Sequence, residues 1–271
     1  MSTTSVTTPV QDVHDRRIAF SGVRDTLAIM QRNLIAYRRV PQLLVFSTIQ
    51  PVIFVLMFRY VFGGAIKVPG RIPYVDFLMP GVFVQTVVFG AIATAIGLAT
   101  DLKSGLMERF HALPMARSAV LTGRTFADLT RNVFVVILMM VVGYLVGWRI
   151  HTNAMGMVAG ALLVMFFGYA MSWIFATVGL AVGDPETAQA AAFPVLAPLV
   201  FASSAFVPVG SMPGWLQVFA KHQPVSITAS AVRALTIGGP TSSYVWQSIA
   251  WCVGILVVFA PIAVRFYRRA V

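Results

Sequence analysis

The chain has 271 residues, of which 58% are hydrophobic and 11% charged, with a mean hydropathy of +0.82. Soluble domains carry about 25% charged residues, so this composition excludes an ordinary soluble domain and predicts a polytopic membrane protein. The net charge of +11, from 20 Lys+Arg against 9 Asp+Glu, reads as the Lys/Arg bias of cytoplasmic loops and not as a nucleic-acid footprint.

The N-terminal residues 1–20 are polar and Ser/Thr-rich, as expected of a disordered cytoplasmic tail. Residues 1–40 hold no continuous apolar run of signal-peptide type, and Asp12, Asp15 and Asp25 argue against one. Over 21–40 a helical period appears: Val23, Leu27, Met30, Leu34 and Tyr37 share one face, while Arg24, Gln31, Arg32 and Arg38 fall off it. A basic amphipathic helix directly before a membrane span predicts an interfacial helix lying along the headgroups.

Six apolar segments follow, at about 41–62, 74–99, 125–148, 154–182, 190–209 and 244–264. Each is long enough to cross ~30 Å of hydrocarbon as a helix. Period-two alternation is absent, so the expected fold is all-α, with six transmembrane helices in one domain over 41–264. Thirteen Lys/Arg fall on one side: Arg16, Arg17, Arg24, Arg32, Arg38, Arg39, Lys103, Arg109, Arg117, Arg124, Arg265, Arg268 and Arg269. Five fall on the other: Lys67, Arg71, Arg149, Lys221 and Arg233. This bias puts both termini, including a short tail over 265–271, and the 101–124 stretch in the cytoplasm.

Small-residue pairs at Gly143/Gly147, Gly156/Gly160 and Gly179/Gly183 are spaced for close helix approach. The fifth segment carries Pro194, Pro198 and Pro208 with Ser203 and Ser204 between them, which predicts a bent, partly polar helix. Residues 211–235 are too polar to span and too apolar for an exposed loop. Pro213 and Pro224 are each placed to open a short helix, so a re-entrant element of two short helices is expected.

Between the second and third segments the chain turns polar: DLKSGLMERFHALPMARSAVLTGR, Asp101 to Arg124. Leu102, Leu106, Phe110 and Leu113 keep a helical spacing there, and Asp101, Lys103, Glu108 and Arg109 supply charge for a partner. Asp128 and Arg131, three apart, could pair on one helix face, and Arg59 could snorkel to the outer interface.

Several chemistries are missing. The three lysines, Lys67, Lys103 and Lys221, follow Ile, Leu and Ala, so there is no Gly-Lys P-loop and no nucleotide site of that kind. The single Cys252 and four scattered histidines offer no metal set. The centres of the apolar segments lack Asp and Glu, which disfavours ion-coupled transport. Energy would have to come from another chain, and apolar walls rich in Phe, Met and Val favour a lipophilic or amphipathic cargo. A membrane scaffold, a lipid-modifying enzyme and a stand-alone secondary transporter remain the competing classes.

Four segments in order, LLVFSTIQPVIFVLMFRYVFGGAI, YVDFLMPGVFVQTVVFGA, the 101–124 stretch and MPGWLQVFAKHQPVSITASAVRAL, resemble the ABC-2 type permeases. The likeness is to the daunorubicin-resistance-like membrane subunits of bacterial drug exporters. It covers residues 20–268 and is most specific in ERFHALPMARSAVLTGR; Ile227 departs from it, at a position where the family has His, Arg, Ser or Tyr. The resemblance implies a permease, homodimeric or paired with a related subunit, that works with two copies of a separate ABC ATPase. The chain itself would be no enzyme; ATP and Mg would be bound by the partner. It implies a coupling helix within 101–113, where Lys103, Met107, Glu108, Arg109 and Phe110 would touch the ATPase. It also implies a translocation path between the second and fifth spans of two protomers, and on these two segments Gln85, Thr86, Phe89, Ser203 and Ser204 are the residues expected to line it. The cargo would be a drug-like antibiotic or a lipid, or alternatively a glycolipid or polysaccharide precursor, leaving through the bacterial plasma membrane.

Overall fold

The computed structural model describes residues 30–31, 35, 41–66, 68, 72–106 and 117–270. The expected tail over 1–20 and the contact residues Met107, Glu108, Arg109 and Phe110 lie outside them, as does the interfacial helix except at Met30, Gln31 and Ile35, which are helical. Everything regular among the described residues is helical. The elements are α1 (Pro41–Leu56, continued by a π-helical turn over Met57–Phe62), α2 (Tyr74–Lys103), α3 (Arg117–Val146), α4 (Ala154–Val182), α5 (Pro185–Phe201), α6 (Gly214–His222), α7 (Pro224–Thr236) and α8 (Thr241–Ala270).

Four of these, α2, α3, α4 and α8, are long and apolar enough to cross a membrane. Helices α1 and α5 are shorter, at 16 and 17 residues. The segment expected at 190–209 is displaced in the structure. Its helix starts earlier because Asp184 caps it: the carboxylate accepts from the Thr187 N–H at 3.0 Å, and Pro185 follows at the first helical position. It stops earlier, at Phe201, because the Ser203 hydroxyl donates to the Val200 carbonyl at 2.5 Å and accepts from the Ala205 N–H at 3.1 Å. Those local bonds compete with the helical ladder. The third helix likewise begins earlier than the segment expected at 125–148, at Arg117. At the far end α8 runs on to Ala270 instead of giving way to a tail at 265.

Helix α2 is the centre of the bundle, packed against α3, α4, α5 and α7, and most of its side chains are buried. In lipid the apolar effect does not hold helices together, so close backbone approach and polar contacts must. The small residues show where. A Cβ on Gly81 would overlap the Ala205 carbonyl, one on Gly179 the Ala95 carbonyl, and one on Gly156 the Leu235 carbonyl. Gly183 instead ends α4 with φ 73°, its N–H returning to the Gly179 carbonyl at 3.0 Å. Helices α2 and α3 run antiparallel, so Gly97 faces Arg124, Gly90 faces Arg131 and Met79 faces Gly143. Aromatic rings fix the flanks: Phe83 meets Trp148 edge-on at 5.3 Å, and Phe58 stacks on Phe206 at 4.4 Å.

Candidate functional site

Three polar groupings and one mixed cavity stand out from the apolar bundle. The first lies between α2 and α3. Arg124 is 3.5 Å from Asp101 and 3.9 Å from Asp128, and donates to the Ala93 carbonyl at 3.3 Å. Asp128, fully buried, accepts from the Thr94 hydroxyl at 2.6 Å. Arg131 donates to the Gly90 carbonyl at 2.6 Å and to the Asn132 side-chain oxygen at 3.2 Å. A Cβ on Gly97 would overlap the Arg124 guanidinium, and one on Gly90 would come within 2.9 Å of the Arg131 guanidinium. Two glycines seven apart on α2 thus make room for two arginines seven apart on α3. Ion pairs this buried survive only with such close-fitting partners.

The cavity, of about 460 Å³, adjoins this network between α1, α2, α3 and α5. Gln50, Thr86, Phe89, Arg131, Asn132 and Gln189 bring side chains to it, together with apolar wall from Ile92, Ile96 and Val135. Of the expected path residues, the structure brings Thr86 and Phe89 together here. Gln85 is fully buried in α2, and neither polar atom of its amide has a hydrogen-bond partner among the described residues.

Ser203 and Ser204 belong to a second grouping, around the break after α5. Several peptide groups bared by the break are held by side chains. Gln223 donates to the Ala202 carbonyl at 2.6 Å, and Ser226 accepts from the Ser204 N–H at 2.9 Å. Arg233 reaches the Ser204 and Ala205 carbonyls at 2.5 and 3.1 Å, and the Tyr74 hydroxyl donates to the Phe206 carbonyl at 2.9 Å. Arg233 also donates to the Phe77 carbonyl at 2.8 Å and covers the Phe77 ring at 3.7 Å. Irregular backbone is tolerated at membrane depth only where the protein satisfies it; the Gln-Pro-Val-Ser run and Arg233 do that work. Gln223 is the junction between α6 and α7, and α7 carries the rest of them. Pro224 opens α7 as expected, whereas Pro213 is the cap before α6, its carbonyl accepting from Leu216 at 2.9 Å.

The third grouping ties chain ends. Lys103, the last residue of α2, forms an ion pair of 2.6 Å with Asp184, the cap of α5. The hydrogen bond from Lys103, with those from Thr187, holds the Asp184 carboxyl down at about 2, and the same bond raises the Lys103 ammonium above its usual value. At the opposite end of α2, buried Asp76 accepts from the Arg149 N–H at 2.9 Å and lies 2.8 Å from His151. Arg59, expected to snorkel, has its guanidinium 6.0 Å from the Tyr60 ring.

Sequence reasoning missed the Gly97–Arg124 and Gly90–Arg131 fit. The available signal was the shared spacing of seven in both helices. A polytopic bundle with a mixed-polarity cavity inside it and a polar segment leaving one end has the build of a transport protein. The chain belongs to the ABC-2 type transporter family, whose pattern matches residues 24–237. It is 35% identical to the daunorubicin resistance ABC transporter permease protein DrrB1 of Streptomyces coeruleorubidus, over 94% of this chain and 90% of that one. It is 28% identical to the probable doxorubicin resistance ABC transporter permease protein DrrC of Mycobacterium tuberculosis, over 92% and 90%. It is 26% identical to the putative transport permease ycf38 of Cyanophora paradoxa, over 80% and 76%.

Proposed function

We propose that this chain is the transmembrane permease subunit of an ATP-driven exporter that moves a hydrophobic or amphipathic, drug-like compound out of the cytoplasm or the inner leaflet. The observation that carries this is the family match over 24–237, joined by relatives named as drug-resistance permeases. ATP and Mg are bound, and ATP is hydrolysed, by two copies of a separate ABC ATPase subunit. Two permease chains, identical or related, form the membrane unit. All six apolar segments cross, α1 with its π-helical extension and α5 with the clamped chain after Phe201 completing the four long helices. Helices α6 and α7 form a re-entrant hairpin. Both termini lie in the cytoplasm with the Lys103 end of the bundle.

In this reading the 101–113 segment is the coupling helix. Its described start is informative: Lys103 ties the exit of α2 to the cap of α5 through Asp184. A push on the segment therefore bears on both α2 and α5, the two helices proposed to border the path. Alternating access follows if α5 swings about its clamped break while α2 stays fixed in the core.

The test is reconstitution with the ATPase in inverted vesicles and measurement of ATP-dependent doxorubicin accumulation by its fluorescence. Accumulation that needs both subunits and ATP supports the reading. A chain that assembles with no ATPase, or that drives accumulation without one, overturns it.

A further inference from the structure

We infer that the lateral groove between α4, α5, α8 and the junction of α6 with α7 is a binding site for one acyl chain of a bilayer phospholipid. The inference rests on α4 and α8 crossing the membrane and is independent of what the protein exports.

The groove has a volume of about 440 Å³, within the range of sites for single small molecules. Met171 and Ile174 of α4, Leu199 of α5, and Ile255 and Phe259 of α8 form its walls. Phe219 and Trp251, both exposed, mark its open side. Its depth follows from the helices. Trp251, Ile255 and Phe259 lie about 15–27 Å along α8 from Thr241, at ~1.5 Å per residue. The whole of α8 is ~45 Å long and the hydrocarbon layer ~30 Å thick, so this stretch falls in the middle of the layer. By the same measure on α4, Met171 and Ile174 also lie within it. At that depth the open side of the groove meets hydrocarbon and not water. The helices on that side, α6 and α8, also expose Trp215, Val218, Val257 and Val258, as a lipid-facing surface does.

The lining separates a hydrocarbon chain from a drug-like cargo. No Asp, Glu, Lys or Arg lines the groove among the described residues. The two polar side chains at its end are committed to backbone carbonyls: buried Gln223 donates to Ala202 at 2.6 Å, and His222 donates through Nδ1 to Val218 at 2.8 Å. Sites for drug-sized molecules hold a few placed polar groups that orient the ligand. The cavity between α1, α2, α3 and α5 has such side chains, whereas the walls of this groove are apolar throughout. The amine, hydroxyl and carbonyl groups of a drug would be buried here without partners, a cost that an acyl chain does not meet. The same chain supplies the van der Waals contacts on which helix packing in lipid depends. It also touches both sides of the break after α5. Leu199 lies two residues before the end of that helix, and Gln223 holds the Ala202 carbonyl just beyond it. Lipid in the groove is thus part of what holds the break.

The test titrates the full chain, purified in a neutral detergent, with a phospholipid brominated at mid-chain, and reads tryptophan fluorescence, because bromine quenches indoles that it touches. Native mass spectrometry of the same samples counts bound lipids and protein chains. The expected result is a saturable loss of fluorescence that levels off at about one lipid per chain. Trp251→Phe, which keeps an aromatic wall, is expected to abolish that component. Ile174→Phe and Leu199→Phe add bulk to two different walls, and each is expected to weaken lipid binding about tenfold. Doxorubicin is expected to leave the lipid count unchanged. Quenching that rises with lipid without saturating, or a saturable component that all three substitutions leave unchanged, overturns the site. One-for-one displacement of lipid by doxorubicin makes the groove a cargo site and overturns the lipid assignment. A paired species with neither bound lipid nor quenching gives the groove to a second copy of the chain and overturns that assignment as well. None of these readouts involves ATP or transport, so failure of the exporter reading would leave them unaffected.

Discussion

Arg233 is the side chain on which the break after α5 depends most, and replacing it by Met tests that dependence. The substitution keeps an apolar stem of similar reach and removes every donor. The Ser204 and Ala205 carbonyls, both in non-helical chain, lose the partner that the structure gives them. Each buried acceptor left without a partner costs ~1–3 kcal/mol, and the lost contact with the Phe77 ring adds ~1 kcal/mol. Removing a cation from a largely apolar surround returns part of this. A net loss of ~2–5 kcal/mol remains, equivalent to roughly 5–20 °C in unfolding midpoint for a chain of this size. The assay is internal to the molecule. Cys252 is the only cysteine and is fully buried, so a thiol-reactive fluorophore reports unfolding as the thiol becomes accessible. Arg233→Lys keeps the charge but cannot fork between two carbonyls, so its midpoint is expected between those of Met and wild type. Midpoints for both variants within about 2 °C of wild type, less than the ~1 kcal/mol such a shift represents, would refute the clamp.

Gly97→Ala is expected to push the Arg124 guanidinium away from Asp101 and the Ala93 carbonyl, lowering the same thiol-reactivity midpoint by an amount typical of overpacking, ~1–3 kcal/mol. Gly254→Ala, where a Cβ meets nothing within 4 Å, is the matched control and is expected to leave the midpoint unchanged. Lys103→Ala is expected to weaken drug stimulation of ATPase activity while leaving the fold intact. Asp184→Asn, which keeps a capping oxygen but not the ion pair, is expected to have the same effect, and the double variant no more than either alone. The pH dependence follows from the shifts. Asp184 has its folded pKa depressed to about 2, so the bond is fully present above its ordinary value of 3.8 and lost only as pH falls towards 2. Lys103 is raised, so its share is present below its ordinary value of 10.5 and lost only above it. The pair is therefore charged throughout the working range. Asp184→Asn should change the level of coupled ATPase activity between about pH 6 and 8 without changing the shape of its profile, which is measured directly by phosphate release.

The sequence made the class legible because lipid imposes so few solutions: long apolar segments must be helices. The prolines of α5 marked a disrupted helix, yet they did not locate the break. Pro194 and Pro198 are accommodated within α5, and the helix ends three residues later, at Phe201, where Ser203 begins to bond its own backbone. Ser203 and Ser204 were legible as unusual polar residues, but what Ser204 contacts depends on residues more than twenty positions away, Ser226 and Arg233. The same holds for Arg124 and Arg131, which reach Asp101, the Ala93 carbonyl and the Gly90 carbonyl on a neighbouring helix more than twenty residues back in the chain. Composition could count those arginines and periodicity could give them a helix face. Neither could say that Gly97 and Gly90 leave the space they occupy.

Energy is proposed to enter through the 101–113 segment from a separate ATPase. Glu108 and Phe110 lie outside the described residues and are carried by the family resemblance. The direct measurement is ATPase turnover and ATP-dependent doxorubicin accumulation of the reconstituted complex bearing Glu108→Ala or Phe110→Ala, with co-purification of the ATPase followed in parallel. Accumulation is expected to fall by about tenfold or more, ~1.4 kcal/mol of lost coupling, through weakened assembly or through turnover that no longer responds to the drug. Assembly, turnover and accumulation that all match the unsubstituted complex would contradict entry of energy by this route.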